Sequence, residues 1–304
     1  MKIAITTPTG HIGSKLVQNL LRKGPELVLL ARRPEKLKEA EANGARVIPG
    51  DLKDEAYYKS ATVGVDVLFH VAPPDVTSPN IRAEYNQLAK NGATAVQANK
   101  IKRVVHLSSV GADKTEKTGP VLGLHDAEEI FNQTGAQVTH LRPAYFFENF
   151  FSSVPAIQQS GRIFLAIPGS AKTAMVATRD IADVGAKVIL NQSGSKKIVY
   201  ILGTKEYSFD EVASELGKFL SKEVKVQTIG REELINAMAK FGVSRNFAEG
   251  IVELYEGFVS GYIKSTEPRD RENTTPTTLE QFIKEELGPV LKTPAAVYSQ
   301  TGIN

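Results

Sequence analysis

The stretch Thr7-Pro8-Thr9-Gly10-His11-Ile12-Gly13 decides the fold, because it follows the apolar run KIAIT at residues 2–6 and opens an amphipathic segment. A strand, a glycine turn and a helix in direct succession are typical of the first unit of a parallel α/β sheet. Backbone N–H groups at the start of such a helix point outward without partners, and glycine lets a phosphate approach them closely. Gly10 and Gly13 match the second and third glycines of a GxxGxxG pattern, and Thr7 stands in place of the first.

This position between a strand and a helix predicts a dinucleotide site, and the alternative is an ordinary tight turn. In the dinucleotide interpretation the backbone of the loop holds the cofactor's diphosphate, and His11 contributes its backbone more than its ring. The residues predicted to bind there are Thr7, Thr9, Gly10, His11, Ile12 and Gly13.

The first half of the chain alternates short apolar runs with helical patterns, which indicates βαβ units. Several runs are apolar on both faces, as expected for a sheet that is covered by helices on both sides. We therefore predict an α/β fold with a doubly wound parallel sheet of the Rossmann type. The predicted strands are KIAIT from Lys2, ELVLLA from Glu26, ARVIP from Ala45, VDVLFHV from Val65, RVVHLS from Arg103 and QVTHLR from Gln137, and the predicted helices are 13–22, 34–43, 80–99 and 121–133.

The pattern changes after residue 142, where helices dominate and strands become sparse. Two strands are predicted there, KIVYIL from Lys197 and VKVQTI from Val224. Ser208 and Glu211 form a capping box that predicts the start of a helix. We expect a Rossmann domain over residues 1–150, to which 174–202 return, and a smaller, mostly helical substrate-binding part over 151–304. The other helices predicted after residue 142 are 179–190, 209–220, 232–241, 244–263 and 279–287.

Composition excludes several classes of protein. The absence of cysteine excludes disulfides, thiolate metal sites and thiol nucleophiles. A formal net charge of +3 provides no basic footprint for nucleic acid, and no run approaches the length of a membrane span. The N-terminus has no signal-peptide pattern. We expect a cytoplasmic protein, monomeric or homodimeric, that contacts neither nucleic acid nor membrane and acts on a small molecule.

The end of the second predicted strand carries Arg32 and Arg33. An acidic residue at this point would bind the ribose 2′-hydroxyl of NAD, whereas a guanidinium suits the 2′-phosphate of NADP. Arg32 therefore predicts NADP as the cofactor, with NADPH preferred over NADH. In the alternative interpretation both arginines are solvated surface charges.

Six motifs together resemble the NmrA-like group of atypical short-chain dehydrogenases, and their pattern is similar to that of bacterial NADPH-dependent quinone reductases. The resemblance extends over nearly the whole chain and implies an NADP-binding oxidoreductase. It also implies that Asp51 and Leu52 flank the adenine. Val71, Ala72 and Pro73 would lie along the ribose and nicotinamide, and Pro143 and Tyr145 would line the nicotinamide end. The motifs are TPTGHIG (7–13), ARRPEKL (31–37), GDLKD (50–54), FHVAPPD (69–75), VVHLSSVGAD (104–113) and LRPAYFFEN (141–149).

The Tyr-x-x-x-Lys pair of ordinary short-chain dehydrogenases is absent, because Pro120 and Leu124 stand at its positions. In that pair the lysine lowers the pKa of the tyrosine, which then donates a proton as hydride moves. Ser108 ends the fifth predicted strand, where its hydroxyl can contact bound cofactor or substrate or be a satisfied strand-end group.

The candidate catalytic residues are His125, Glu128 and Tyr145. His125 and Glu128 are three residues apart on one predicted helix and can share a face, and an imidazole can donate a proton near neutral pH. Alternatively, Glu128 pairs with a basic residue. Tyr145 begins an aromatic cluster that can form the wall of a flat pocket or pack in the core. We expect His70, His106 and His140 to be structural, and no spacing predicts a metal site.

These observations favour an NAD(P)H-dependent reductase that passes hydride to a quinone or a similar electrophilic carbonyl compound. A quinone accepts hydride readily, and the resulting oxyanion can take its proton from water. The alternative is a redox sensor that binds NAD(P) without turnover, as members of the NmrA-like group do. A sugar-nucleotide epimerase would need the missing tyrosine and lysine.

Overall fold

The computed structural model describes residues 1–191 and 197–293. The predicted substrate part 151–304 and the returning segment 174–202 are therefore described only in part. The strands are β1 (Lys2–Thr6), β2 (Glu26–Ala31), β3 (Arg46–Pro49), β4 (Val67–His70), β5 (Arg103–Leu107), β6 (Gln137–Pro143), β7 (Tyr145–Phe146), β8 (Arg162–Leu165), β9 (Lys172–Val176), β10 (Ile198–Ile201), β11 (Glu206–Ser208) and β12 (Lys225–Thr228).

The α-helices alternate with these strands in the first half of the chain and are more numerous than strands near its end. They are α1 (His11–Leu21), α2 (Lys38–Ala42), α3 (Glu55–Ala61), α4 (Ile81–Ala98), α5 (Val121–Asn132), α6 (Val154–Ser160), α7 (Thr178–Leu190), α8 (Phe209–Leu220), α9 (Arg231–Ala239), α10 (Arg245–Val259), α11 (Leu279–Phe282) and α12 (Gly288–Lys292). None of the helices in these ranges is long and apolar enough to cross a lipid bilayer.

The main sheet in the described residues has seven strands in the order β3-β2-β1-β4-β5-β6-β10. Every neighbouring pair in it is parallel. The prediction of a doubly wound parallel sheet is confirmed. The strand order reverses between β1 and β4, and ligands of such sheets bind at the carboxyl ends of the strands beside this reversal.

Apolar cores lie on both faces of the sheet. One face packs against α1 and α7, through residues such as Leu16 and Ile181, and the other packs against α3, α4 and α5, through residues such as Leu88 and Phe131. Burial on both faces explains why several of the predicted strands are almost continuously apolar. The core of the sheet thereby fixes the carboxyl ends of β1, β2, β4, β5 and β6 relative to one another.

The part after β6 contains more strand than the sequence analysis predicted. The described residues after 143 have six strands, of which only β10 and β12 were predicted. Strands β11, β9 and β7 form one small sheet, and β12 pairs with β8 in another. The four missed strands have only two to five residues. Their pairing depends on a third apolar core, built around residues such as Phe147 and Phe209, and a short run carries little periodicity to reveal it.

Several helix boundaries also differ from the predictions. Helix α3 was missed; its N-cap is Asp54, whose side chain accepts a hydrogen bond from the Tyr57 N–H. The segment predicted as one helix from residue 34 begins with a 3₁₀ turn, Pro34–Leu37. The last predicted helix passes through a π-helical turn, Ile283–Leu287, and continues into α12. The Ser208–Glu211 capping box is present as predicted.

Candidate functional site

The glycine loop between β1 and α1 is tightly closed. Thr7 has a φ of 49°, in the left-handed region that favours glycine, and its carbonyl accepts a hydrogen bond from the Gly10 N–H at 3.1 Å. A Cβ placed on Gly13 would lie 2.1 Å from the Thr7 carbonyl oxygen, so no other residue fits there without a backbone shift. Thr7 therefore adopts the conformation of the glycine that it replaces.

Gly10 is different, because the fold does not require a glycine at this position. Its φ of −77° suits any residue, and an added Cβ would meet nothing closer than the Thr7 carbonyl oxygen at 3.6 Å. The loop is thus open where a dinucleotide fold holds its diphosphate.

The N-terminus of α1 can hold an anion. Within the described residues, no side chain caps Gly10 and no acidic residue lies in the first turn. Thr9 and His11 are exposed, whereas the Ile12 side chain is buried in the core, so the groups available at residue 12 are those of its backbone. Unpaired N–H groups and the positive end of the helix dipole both favour a phosphate at this point.

The end of β2 presents two cations to solvent. Arg32 and Arg33 are exposed, and across the described ranges neither guanidinium makes a hydrogen bond or an ion pair. Most other arginines in these ranges are paired, for example Arg82 with Asp126 at 2.7 Å. A guanidinium with five unused donors can bind a phosphate in a fork geometry.

Asp51 and Leu52, predicted to flank the adenine, lie just after β3. Leu52 is buried and Asp51 is exposed, with its carboxylate accepting the Lys53 N–H at 2.9 Å. Buried Asn91 of α4 donates to the Leu52 and Lys53 carbonyls at 2.9 and 3.0 Å. Asn91 therefore sets the position of this loop, although the sequence analysis did not identify it.

The loop after β4 is joined to β1 by one hydroxyl group. The Val71 N–H donates to Thr6 Oγ1 at 2.7 Å, and this hydroxyl donates to the Val71 carbonyl at 3.0 Å. The bonds hold Val71 against the end of β1, directly before the glycine loop and at the reversal of strand order, and Ala72 and Pro73 follow it in the chain. Thr6 was also not identified from the sequence.

Glu128 forms a buried network with two strand residues. Arg142 donates from Nε to Oε1 at 2.9 Å and from Nη2 to Oε2 at 2.6 Å, and Ser108 Oγ donates to Oε1 at 2.5 Å. Arg142 also donates to the Tyr200 hydroxyl at 3.1 Å. Both oxygens of Glu128 are therefore engaged by a bidentate ion pair. Of the two interpretations of Glu128, the geometry matches pairing with a basic residue, and that residue is buried.

His125 has its hydrogen-bond partner outside this network, although it lies on the same helix. It is half-buried, and its Nδ1 lies 2.9 Å from the Ala112 carbonyl oxygen, so Nδ1 is the donor and Nε2 is left for another partner. The structure thus brings together Glu128 and Ser108, but not Glu128 and His125.

Helix α10 lies against the position where ordinary short-chain dehydrogenases carry their tyrosine. A Cβ on Gly119 would lie 2.0 Å from the Gly250 carbonyl oxygen, and a Cβ on Gly250 would lie 3.1 Å from Pro120 Cδ. Ser244, the N-cap of α10, donates its N–H to the Val76 carbonyl at 2.8 Å. Helix α10 therefore contacts both the loop after β4 and the loop after β5.

Tyr145 is buried in an aromatic cluster after β6. Its hydroxyl lies 3.3 Å from that of Tyr255 on α10, and its ring packs edge-on against Phe209 and Phe258. Burial raises the pKa of Tyr145 well above its usual value, and the nearby Tyr255 adds to the shift. Pro143 is buried as well, with its carbonyl accepting the Val110 N–H at 3.0 Å.

His70, His106 and His140 form a row across three adjacent strands. They are in register on β4, β5 and β6, and each is fully buried. His70 Nδ1 bonds the Tyr58 hydroxyl at 2.8 Å, and His106 Nδ1 lies 3.2 Å from His140 Nδ1. Burial lowers the pKa of His70 to about 3 and that of His140 to about 4, so all three rings are neutral near pH 7. Among the described residues, no group of His, Asp and Glu is arranged to hold a metal ion.

The model of the NmrA-like family matches residues 1–283. The chain belongs to the NmrA-like family. Among curated relatives, it is 28% identical over 265 residues to quinone oxidoreductase 2 of Escherichia coli, covering 85% of this chain and 88% of the relative. It is 26% identical over 255 residues to the NAD(P)H azoreductase of Xenophilus azovorans, covering 83% and 86%.

Two solved structures show how completely the family fold is retained. The NADPH complex of the E. coli quinone oxidoreductase is 25% identical, with a TM-score of 0.74 and coverage of 93% of this chain and 98% of that chain. The triphenylmethane reductase of Citrobacter sp. with NADP(H) has a TM-score of 0.79 at 24% identity, with coverage of 93% and 99%. The likeness to the second structure concerns the fold alone.

Four positioning residues of this NmrA-like chain were not predicted from sequence: Thr6, Asn91, Arg142 and Tyr255. Thr6 and Asn91 had a signal, because each is a polar residue within an otherwise apolar strand end or helix face. Arg142 and Tyr255 had none, because their partners are known only from the folded chain.

Proposed function

We propose that this protein is an NADPH-dependent reductase that passes hydride to a quinone or a similar electrophilic carbonyl compound. The observation that carries the proposal is the pair of features at the carboxyl ends of β1 and β2: a glycine loop that is open at Gly10, and the unpartnered guanidinium of Arg32. Relatives named as a quinone oxidoreductase and an NAD(P)H azoreductase support the same assignment.

The residues present fit the cofactor. Gly10 leaves space for the diphosphate, the N–H groups at the start of α1 donate to it, and Arg32 binds the 2′-phosphate. Asp51 and Leu52 flank the adenine in a loop held by Asn91. When bound, NADPH supplies the hydride.

The chain has no tyrosine at the position that donates the proton in ordinary short-chain dehydrogenases. Pro120 replaces the tyrosine and packs beside Gly250, and the Glu128 carboxylate is occupied by Arg142. A substrate that needs no acid during hydride transfer fits this site, because a quinone forms a stabilised oxyanion that water can protonate. His125 Nε2 can deliver a proton afterwards.

Ser108 then has an accepting role. Its hydroxyl donates a hydrogen bond to Glu128 at 2.5 Å, so the hydroxyl oxygen can only accept from a group that binds beside the end of β5. Glu128 and Arg142 act through Ser108 as positioning residues, and the ring of Tyr145 contributes an apolar wall.

The missing acid also favours a second candidate, an NAD(P)-binding sensor without turnover. The experiment that separates them measures NADPH oxidation by the purified protein against a panel of quinones, enones and aldehydes. Turnover with a quinone and little with simple aldehydes supports the reductase. Tight NADPH binding without oxidation in the presence of any acceptor contradicts the reductase and supports the sensor.

A further inference from the structure

His11 occupies an unusual place for a titratable side chain. It is the first residue of α1, directly after Gly10, and so belongs to the turn whose N–H groups are proposed to hold the diphosphate. Its ring is stacked on Phe151, with the centroids 5.7 Å apart and the planes 3° from parallel. Phe151 lies in the 3₁₀ segment Phe147–Ser153 that follows β6. The stack therefore joins the glycine loop to the segment beyond the nicotinamide end.

The surroundings of His11 act on its pKa in opposite directions. Partial burial lowers its pKa, and the carboxylate of Glu286 on the π-helical turn acts in the opposite direction. Glu286 also forms an ion pair with Arg179 of α7, with Oε1 of Glu286 at 3.5 Å from Nη1 of Arg179. Lys15 lies one turn further along α1.

The 3₁₀ segment contributes one more titratable group, Glu148. Burial raises its pKa to about 7, although its Oε1 accepts hydrogen bonds from the Thr178 N–H and hydroxyl at 2.8 and 2.5 Å. The charged groups on the elements around His11 are Lys15, Glu148, Arg179, Asp180, Asp183, Lys187, Lys284, Glu285 and Glu286. Glu148 is bonded to Thr178, Asp180 is bonded to Thr277, and Glu285 and Glu286 pair with Arg179. A diphosphate would add negative charge beside the ring.

We propose that the His11 imidazole takes up a proton when the cofactor binds and, as imidazolium, binds the diphosphate. This proposal rests on the proposed function, because it assigns a side chain to the same cofactor site. The proton comes from solvent and adds to the ring nitrogen, and no other bond changes. The stack on Phe151 holds the ring at the loop, so little side-chain entropy is lost on binding.

The consequence is a cofactor affinity that depends on pH. Opposite charge raises the pKa of an imidazole, so the complex holds a proton at pH values where the free protein does not. Affinity is then greatest at low pH and falls as pH rises through the pKa of the complex. The 2′-phosphate of NADPH also titrates, near pH 6. The titration of this phosphate affects the parent protein and a residue 11 variant equally, so it cancels in the ratio of their dissociation constants.

The test compares the parent protein with His11→Gln, which keeps a polar side chain of similar size and removes the titration. NADPH dissociation constants are measured by fluorescence titration from pH 5.5 to 8.5. We expect the ratio of the Kd of His11→Gln to that of the parent protein to fall about tenfold from pH 6 to pH 8, which corresponds to about one pKa unit. A ratio that does not change with pH overturns the proposal.

A second measurement does not depend on the variant being folded. The chain has five histidines, and three are in the buried row, so His11 and His125 supply the two imidazole C2–H signals from outside that row. We expect one signal to show a pKa at least about one unit higher with NADPH bound than without it. Unshifted signals in the complex overturn the proposal, whereas no NADPH binding at any pH overturns the proposed function as well.

Discussion

The Thr7 carbonyl oxygen occupies the space that a side chain at Gly13 would need, 2.1 Å from the position of its Cβ. The space above Gly10 is open by contrast, so the two glycines should respond differently to substitution. Gly13→Ala forces a backbone shift, and we expect it to lower the free energy of unfolding by about 1–3 kcal/mol. Gly10→Val should leave the melting temperature nearly unchanged and abolish NADPH binding. Equal loss of stability in both variants, measured by thermal denaturation, would contradict this distinction.

Arg32 should determine the preference for NADPH. Arg32→Ala removes a charge-assisted hydrogen bond worth about 1.5–3 kcal/mol, so we expect at least a tenfold loss of NADPH affinity and no change for NADH. Arg33→Ala is the matched control, because it removes the same charge one residue away and should have a smaller effect. The assignment of Arg32 is refuted if the unmodified protein binds both cofactors equally.

His125 should affect turnover and not cofactor binding. If Nε2 delivers a proton, His125→Ala should lower kcat by about tenfold to a hundredfold with a quinone and leave the NADPH Kd unchanged. An unchanged kcat would show that the proton comes from water alone.

The ring of Tyr145 should affect KM, in contrast to His125. Tyr145→Leu removes an apolar wall that contacts ground state and transition state alike, so we expect KM for a planar quinone to rise. Tyr145→Phe keeps the ring and loses only the contacts of its hydroxyl, which are with Tyr255 and Asn149, so KM should stay close to that of the parent protein. Steady-state kinetics on both variants decides whether the ring or the hydroxyl acts.

The buried histidine row should make the protein sensitive to acid. Because the pKa of His140 is lowered in the folded state, the unfolded chain binds more protons below pH 6.5, and stability is lost as pH falls from there toward 4. At about 1.4 kcal/mol per pKa unit, His140 alone accounts for about 3 kcal/mol over this range. Urea denaturation at several pH values measures the loss. We expect His140→Gln to be less sensitive to acid, and an identical slope for His125→Gln and His140→Gln would contradict the assignment.

The buried pair of Glu128 and Arg142 should tolerate removal of both partners better than removal of one. Arg142→Met leaves a buried carboxylate unpaired, which costs about 3–5 kcal/mol, whereas Arg142→Met with Glu128→Leu leaves no buried charge. We expect the double variant to recover most of the stability lost in the single variant. In chemical denaturation, an additive loss would show that the two side chains are not coupled.

Much of the fold was predictable because its signals are local. Strands β1, β2 and β4 are nearly continuous apolar runs, since helices cover both faces, and the glycine loop follows β1 directly. The positions of Gly10, Gly13 and Arg32 at one edge of the sheet were predictable for the same reason: they lie next to strand ends, and the carboxyl ends of parallel strands share one edge of the sheet. The small sheets were not predictable, because strands of two to five residues form only where the third core holds them.

The sequence by itself determined the parallel sheet, the glycine loop after its first strand and the absence of the tyrosine–lysine pair. Only the tertiary structure decided how the remaining side chains are used. Glu128 meets Arg142 across 14 residues, and Tyr145 meets Tyr255 across 110. The physical reason is that a side chain's partner depends on which elements pack together, and residues far apart in the chain leave no periodic trace of their contact.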